Sequence, residues 1–160
     1  MEKKTGVIDK KDIIYEVGGI ELLEFVSPLW NKLNSLHKEK SKDFKERYNS
    51  FTFEDRKKSL IIEEKEIMVV LVKNIKLNKY IGYSISSISK DSIGEIDSIY
   101  VDSSYRGLQI GDVLMNKPLE WMHMKDLKKI IIGVASGNED VFPFYRKFGF
   151  YPKVTILEKP

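Results

Sequence analysis

The sequence predicts a mixed α/β fold, with a twisted and mostly antiparallel sheet of about six or seven strands flanked by helices. Two observations carry this prediction. Three strand-like runs, joined by short turns and ending at Val101, indicate an antiparallel meander. A helical pattern that starts near Ile110, followed by the apolar run 129–135, indicates a strand–helix–strand unit. The two strands of such a unit lie parallel with a right-handed crossover.

The N-terminal part is predicted to add one strand and two helices. Residues 13–17 form a short strand-like run, and apolar residues over 20–36 recur at helical steps of three and four. Pro28 lies inside that helix and is expected to break or kink it. The sequence Thr-Phe-Glu-Asp at 52–55 has the form of an acidic capping box, so a second helix is predicted to begin there and to end near residue 62.

The remaining elements follow from the same patterns. The three runs of the meander are 67–72, 80–89 and 95–101. The run 129–135 is nearly all apolar, which is typical of a central strand covered on both faces. Pro118 is expected to kink the helix that precedes this run. Residues 138–148 predict a short helix ended by Gly149, and residues 151–158 predict a last strand.

Composition narrows the class of protein. A chain of 160 residues with 42% hydrophobic and 32% charged residues is expected to form one soluble domain. The absence of cysteine excludes a disulfide framework and thiolate chemistry, and the two histidines, which are far apart, predict no metal site. Residues 1–6 lack the apolar core of a signal peptide, and no apolar run reaches membrane-spanning length, so we expect a cytoplasmic protein. The net charge of +3 suits an anionic ligand but is too small to indicate nucleic acid.

The turn between Val101 and Gly111 predicts a phosphate-bearing ligand. It joins a strand to a helix and contains two glycines and Arg106. The first backbone N–H groups of a helix have no partner inside the helix, and the helix dipole favours an anion at this end. Glycine also allows an anion to approach the backbone closely.

Two segments together resemble the GNAT superfamily of acetyl-CoA-dependent N-acetyltransferases. The first, Arg106-Gly-Leu-Gln-Ile-Gly111, is similar to the pyrophosphate loop of that family, Arg/Gln-x-x-Gly-x-Gly/Ala. The second runs from Asn138 to Phe150 and contains Phe-Tyr145-Arg-Lys-Phe-Gly-Phe. The resemblance implies one GNAT-like domain over 1–160, with a motif-bearing core of about 67–152. It also implies that the parallel strand pair separates to admit the cosubstrate.

The resemblance further implies which residues contact acetyl-CoA. The strand residues Ile99, Tyr100 and Val101 would bind its pantetheine arm through the backbone. The pyrophosphate would be held by the loop and helix start, which comprise Arg106, Gly107, Leu108, Gln109, Ile110, Gly111 and Asp112. Gln109 replaces the first glycine of the family pattern, and we expect it to be tolerated because the helix begins there. Asn138 is expected either to contact the cosubstrate or to cap the following helix, and the two roles are compatible.

Catalytic candidates follow from the resemblance and from acid–base chemistry. Tyr145 stands where the family places the tyrosine that protonates the departing thiolate, although aromatic packing would also explain it. Glu95 matches the position of the base in some members of the family. Asp97 lies two residues further along the same strand, so it shares a face with Glu95. Glu95, Asp97 and a chain of waters therefore remain alternative bases. His37 is interpreted as a surface residue, because it belongs to a lysine-rich helix end, and His123 is interpreted as a structural or exposed residue.

The function implied is transfer of the acetyl group to a primary amine, for which we favour a small molecule. A protein N-terminus or lysine is the alternative acceptor. A non-catalytic acyl-CoA-binding or sensor module would need the loop 106–111 but neither Tyr145 nor Glu95. An RNA-associated role is disfavoured by the mild charge, and no metal, nucleic acid or membrane partner is expected. A homodimer through the last strand is compatible with the sequence.

Overall fold

A single five-stranded sheet organises the molecule. The computed structural model describes residues 6–160. Residues 1–5, which belong to the segment that was considered as a possible signal peptide, lie outside the described residues. The strands follow one another across the sheet in chain order, the first four antiparallel and the last pair parallel. They are β1 (Ile13–Gly18), β2 (Glu66–Asn74), β3 (Lys79–Ile88), β4 (Ile93–Val101) and β5 (Lys129–Ile132). This arrangement confirms the predicted mixed α/β fold and its parallel pair.

Five α-helices cover the sheet. They are α1 (Leu23–Lys40), α2 (Lys45–Ser50), α3 (Phe53–Ile62), α4 (Ile110–His123) and α5 (Phe142–Arg146). Both internal prolines are accommodated, because α1 and α4 continue through Pro28 and Pro118. The predicted capping box is present, with Thr52 Oγ1 accepting from the Asp55 N–H at 3.2 Å and the Asp55 carboxylate accepting from the Thr52 N–H at 2.9 Å.

The helices form two layers, one on each side of the sheet. On one face, α1 and α3 bury a core that includes Leu23, Trp30 and Leu60 against strand residues such as Tyr83. On the other face, α4 packs its own apolar side against β3 and β4. Residues 69–72 of β2 are all buried, because the central strands are covered from both sides.

The number of strands and the position of β5 differ from the prediction. The sheet has five strands within residues 6–160, because residues 151–160 form no regular secondary structure and are exposed. β5 is consequently an edge strand of only four residues, and Ile131 remains 37% exposed. The apolar run 129–135 was therefore wrongly interpreted as a central strand. A sequence pattern describes which faces a segment can bury, but it does not show whether a neighbouring strand is present to pair with it.

Candidate active site

A cleft opens where β4 and β5 separate. The two strands pair only from Ile93 with Lys129 to Ile96 with Ile132. Beyond that point, the rest of β4 and residues 133–135 form opposite walls of a cleft of about 570 Å³. The cleft is also lined by the turn after β4, the start of α4, α5 and the second half of α1. The expected separation of the parallel pair is therefore present.

The turn after β4 presents its backbone N–H groups to the cleft. Among the described residues, no backbone acceptor is recorded for the six consecutive N–H groups of residues 107–112, and intrahelical bonding resumes at Val113. Gly107 adopts a φ of 80° and Gln109 a φ of 63°. Gln109 is the residue just before the helix and does not have a helical backbone, so its toleration cannot rest on the start of the helix. A non-glycine residue in this left-handed region costs about 1–2 kcal/mol, so the turn carries strain at Gln109.

Buried polar contacts fix the turn in place. The carboxylate of Asp102 accepts a hydrogen bond from Lys32 Nζ at 2.8 Å, and Lys79 Nζ lies 3.7 Å from its other oxygen. The hydroxyl of Tyr105 accepts from the side-chain amide of Asn74 at 3.0 Å. Arg106 Nε donates to the carbonyl of Val101 at 3.3 Å, which keeps its guanidinium beside the cleft.

The donor set of the turn fits a diphosphate. Unpaired backbone N–H groups and one guanidinium converge on the N-terminus of a 14-residue helix, where the dipole adds to the attraction for an anion. The carboxylate of Asp112 in the first turn of α4 would oppose an anion. Lys147 Nζ lies 2.6 Å from this carboxylate and offsets its charge. A side chain at Gly111 would come within 3.2 Å of the Phe144 ring, so glycine lets α5 approach the start of α4.

Most of the predicted cosubstrate residues line this cleft. They are Ile99, Tyr100, Val101, Arg106, Gly107, Gln109, Ile110, Gly111, Asp112, Asn138 and Tyr145. Leu108 does not, because its side chain packs into the core beneath α4. Asn138 is not a helix cap, since its side chain makes no capping bond and instead accepts from Lys40 Nζ at 2.9 Å.

A β-bulge lies at Asp97, where β4 lines the cleft. Ser98 pairs with Ile85 and Ile96 with Ser86, so Asp97 is the extra residue between two paired positions. Ile96 and Ile99 both pack towards α4. The bulge thus leaves Asp97 and Ser98 on the opposite side of the sheet, where α1 and α3 lie.

The environment of Asp97 favours its neutral form. Burial raises the pKa of its carboxyl to about 6, and the negative charge of Glu95 adds to this effect, while the nearby Ser87 hydroxyl, Arg56 and Lys65 oppose it. The side chain is only 1% exposed, and Arg56 Nη2 lies 3.1 Å from Oδ1. Oδ2 is buried and has no hydrogen-bond partner. A carboxyl group with these properties can take up a proton near neutral pH.

Glu95 does not line the cleft. It lies within the paired part of the sheet, opposite Ser87 of β3 and Ile131 of β5. The structure therefore brings Asp97, and not Glu95, to the other candidate residues.

Tyr145 lines the cleft from the side opposite α1. Burial raises its pKa to about 12, so the phenol keeps its proton at every pH at which the protein is expected to work. Its ring packs against Phe144, with ring centroids 5.4 Å apart. The position of Tyr145 is therefore compatible both with proton donation to the thiolate and with aromatic packing, since a packed ring can present its hydroxyl group to the cleft.

His37 is a cleft residue that sequence reasoning wrongly placed at the surface. It is half-buried and lines the cleft together with Leu33, Leu36 and Lys40. Burial and the neighbouring positive charge of Lys40 lower the pKa of its imidazole, which is therefore neutral at pH 7. The helical spacing of these four residues continues the buried stripe that α1 begins at Leu23, and this spacing is the signal that could have identified them.

Residues 6–160 contain neither a helix that could span a membrane nor a cluster of metal-ligating side chains. None of the helices there is long and apolar enough to cross a bilayer. In the same part of the chain, no three His, Cys, Asp or Glu side chains are grouped so that they could hold a metal ion.

Comparison with known proteins places the chain in a family. The family model described as the acetyltransferase (GNAT) family matches residues 30–150, which is most of the chain and includes the whole cleft. The chain belongs to the GNAT family. The GNAT proteins are acyltransferases that use acetyl-CoA as cosubstrate, so the resemblance stated from the two motifs is confirmed.

Individual GNAT relatives support this assignment. An uncharacterized N-acetyltransferase of Methanocaldococcus jannaschii is 33% identical over 72 residues, which are 45% of this chain and only about a third (32%) of that relative. An aminoglycoside acetyltransferase from an uncultured soil metagenomic sample has the same fold, with a TM-score of 0.66 at 15% identity over 94% of this chain and 97% of that one. The ribosomal-protein-alanine N-acetyltransferase of Brucella melitensis has a TM-score of 0.62 at 12% identity, over 92% of this chain and 99% of that one.

Proposed function

We propose that this GNAT protein is an N-acetyltransferase that transfers the acetyl group of acetyl-CoA directly to a primary amine of a small molecule. The observation that carries the proposal is the convergence, in one cleft, of the donor-rich turn at 106–112, the buried carboxyl of Asp97 and the phenol of Tyr145. These are the three chemical functions that the reaction requires: binding of a polyphosphate, removal of a proton and delivery of a proton.

The turn and the adjoining strand are proposed to bind the cosubstrate. The N–H groups of residues 107–112 and the guanidinium of Arg106 would hold the diphosphate. Residues 99–101 would bind the pantetheine arm through their backbone, because β5 no longer pairs with β4 at that level. Bound acetyl-CoA supplies a thioester whose carbonyl carbon can accept an amine.

Two side chains are proposed to move protons. An amine with a pKa near 10 is mostly protonated at pH 7 and must lose a proton before it can react. Asp97 takes up this proton and so frees the lone pair of the nitrogen, which then forms its bond to the acetyl carbon. Tyr145 gives its phenol proton to the sulfur as the carbon–sulfur bond breaks, and the second proton that the nitrogen loses on becoming an amide restores the phenol.

A small-molecule acceptor is supported by a second pocket of about 350 Å³ on the α1–α3 side of the cleft. This volume is near the lower end of the range for small-molecule sites. The pocket shares residues 133–135 and Asp97 with the cleft, so an amine held there would reach the proposed base.

Calorimetry followed by a turnover assay tests the proposal. Acetyl-CoA and CoA are titrated into the protein, and the release of free thiol is then followed with a panel of primary amines. We expect micromolar binding of acetyl-CoA, and thiol release that depends on both the amine and Asp97. Binding without turnover on any amine would favour a non-catalytic acyl-CoA-binding module. Absence of binding would contradict the proposal as a whole.

A further inference from the structure

The smaller pocket, of about 350 Å³, has walls of aromatic and charged side chains. Besides the residues it shares with the main cleft, it is formed by α1, the start of α3 and the chain between them. These walls comprise Trp30, Asn34, Arg47, Tyr48, Phe51 and Arg56. None of these residues belongs to the two motifs that identify the family, so the sequence motifs say nothing about this pocket.

Aromatic rings form the body of the pocket. The ring centroids of Trp30 and Phe51 are 6.1 Å apart, and those of Tyr48 and His37 are 5.8 Å apart. The side-chain amide of Asn34 donates to the carbonyl of Tyr48 at 2.8 Å, which fixes α2 against α1. These interlocked rings provide an apolar surface that is suited to an aromatic or large aliphatic group.

Charge on the walls disfavours acceptors with several positive groups. Among the described residues that line this pocket, Arg47 and Arg56 are positive and Asp97 alone is acidic. One ammonium group can reach the Asp97 carboxylate. Any further ammonium group of a polyamine or an aminosugar would face the two guanidinium groups and be repelled.

The pair formed by Arg56 and Asp97 matches a zwitterion. Arg56 Nη2 lies 3.1 Å from Asp97 Oδ1, so a positive and a negative group stand side by side at the pocket wall. The buried Oδ2 of Asp97 has no partner. The recorded hydrogen bonds of the Arg56 side chain use only Nη2, and its other N–H groups are donors that a carboxylate can use. An α-ammonium carboxylate carries the complementary pair of charges on a single carbon.

We propose that the smaller pocket selects a free α-amino acid with an aromatic or large aliphatic side chain as the acetyl acceptor. Its amino group meets Asp97, its carboxylate meets Arg56, and its side chain packs against Trp30, Tyr48 and Phe51. The inference rests on the proposed function and specifies the acceptor of that reaction.

Four amines test the proposal at saturating acetyl-CoA. L-Phenylalanine has all three features, phenethylamine lacks the carboxylate, L-phenylalaninamide replaces it with a neutral amide as in a peptide, and spermidine is a polycation. We expect kcat/KM for L-phenylalanine to be at least about tenfold higher than for each of the others. Equal or faster turnover of phenethylamine or spermidine would overturn the proposal. Faster turnover of L-phenylalaninamide would overturn it in favour of a peptide N-terminus.

An Arg56→Gln variant tests whether Arg56 recognises the substrate carboxylate, because a general loss of stability would affect all amines alike. At pH 8.5, where the Asp97 carboxyl is ionised, we expect the ratio of kcat/KM for L-phenylalanine to kcat/KM for phenethylamine to fall at least about tenfold. Lys58→Gln on the exposed side of the same helix is the matched control and should change neither value. A similar loss for both amines would overturn the assignment of Arg56 to the carboxylate.

The amine panel also distinguishes failure of this inference from failure of the proposed function. Calorimetric binding of acetyl-CoA together with turnover of other amines but not of amino acids would overturn the acceptor class and leave the acetyltransferase assignment standing. Absence of acetyl-CoA binding would overturn both.

Discussion

The β4–α4 side of the cleft presents mainly backbone groups, whereas the α1–α3 side presents side chains. On the first side, the N–H groups of residues 107–112 have no recorded backbone acceptor, and their positions depend on a glycine-containing turn. The second side is formed by rings and charged groups from three separate helices. A binding site made of backbone groups tolerates changes in most side chains, while a site made of side chains changes its specificity with each substitution. This difference explains how one fold can keep its cosubstrate and change its acceptor.

Asp97 is where the two sides meet, and its substitution is expected to have the largest effect. Asp97→Asn removes the proposed base, and general-base contributions are typically 10²–10⁴-fold. We expect kcat/KM for the amine to fall at least about 100-fold, while the affinity for acetyl-CoA changes less than twofold. The measurement is thiol release together with calorimetry. Glu95→Gln, two residues earlier on the same strand, is the control and should stay within about threefold; the reverse ranking would make Glu95 the base.

Burial of Asp97 also predicts a pH-dependent effect on stability. The pKa of its carboxyl rises from 3.8 to about 6 on folding. Between those values the folded protein binds more protons at this group than the unfolded chain, so the contribution of Asp97 to the free energy of unfolding decreases as pH rises. Asp97→Asn lacks this decrease. Its free energy of unfolding relative to wild type should therefore increase by about 2 kcal/mol from pH 4 to pH 7, as measured by urea unfolding. A difference that stays constant with pH would contradict the burial of a charged carboxyl.

Tyr145→Phe is expected to have the next largest effect. The variant keeps the ring that packs on Phe144 but loses the hydroxyl group proposed to protonate the sulfur. We expect kcat to fall about 10- to 30-fold, with less than twofold change in the calorimetric Kd of acetyl-CoA. Phe148→Leu alters an aromatic ring in the same segment that does not line the cleft, and it should change kcat much less. Unchanged turnover in Tyr145→Phe would leave only the packing role.

Arg106→Ala tests the cosubstrate side. The guanidinium is exposed and its contact is shared with six backbone donors, so we expect Kd for CoA to rise only about five- to tenfold, with kcat at saturation unchanged. Calorimetry at two salt concentrations measures the Kd of CoA. It also shows whether the Kd of the variant depends less on salt than that of the wild type, as expected when one charged contact is lost. Arg146→Ala is the control, because Arg146 is exposed and lies outside the cleft. An equal effect of both substitutions would indicate a general electrostatic attraction.

The strain at Gln109 predicts the smallest effect. Gln109→Gly removes the side chain from a left-handed position, while glycine also increases the entropy of the unfolded chain. The net result should be a gain of about 0.5–1 kcal/mol in the free energy of unfolding, with less than twofold change in the Kd of CoA. Gln109→Ala keeps the strain and should give no gain. A gain in both variants would show that the glutamine side chain, and not the backbone angle, causes the strain.

The same comparison explains what could be predicted from the sequence. The turn at 106–111 and the position of Tyr145 were predictable because glycine and aromatic residues at fixed spacing are visible in one dimension. The choice of Asp97 over Glu95 as the cleft residue was not, because it depends on where β5 stops pairing with β4, which is at Ile96 with Ile132. Register of this kind is set between strands, not along one strand.

Two other errors have related causes. Alternating apolar residues over 151–158 predicted a strand, yet a strand needs a neighbour, and in the described residues none is paired with the outer edge of β5. His37 was set aside because the surrounding sequence is rich in lysine, although its spacing from Leu33 and Lys40 places it on the same stripe of α1. Composition averages over the faces of a helix, whereas the cleft is formed by one face only.

A crystal structure with CoA bound tests the central claim most directly. We expect the diphosphate to lie within hydrogen-bonding distance of the N–H groups of residues 107–112, and the sulfur to lie between Tyr145 and Asp97. A diphosphate bound away from the start of α4, or a sulfur that lies outside the region between β4 and β5, would contradict it.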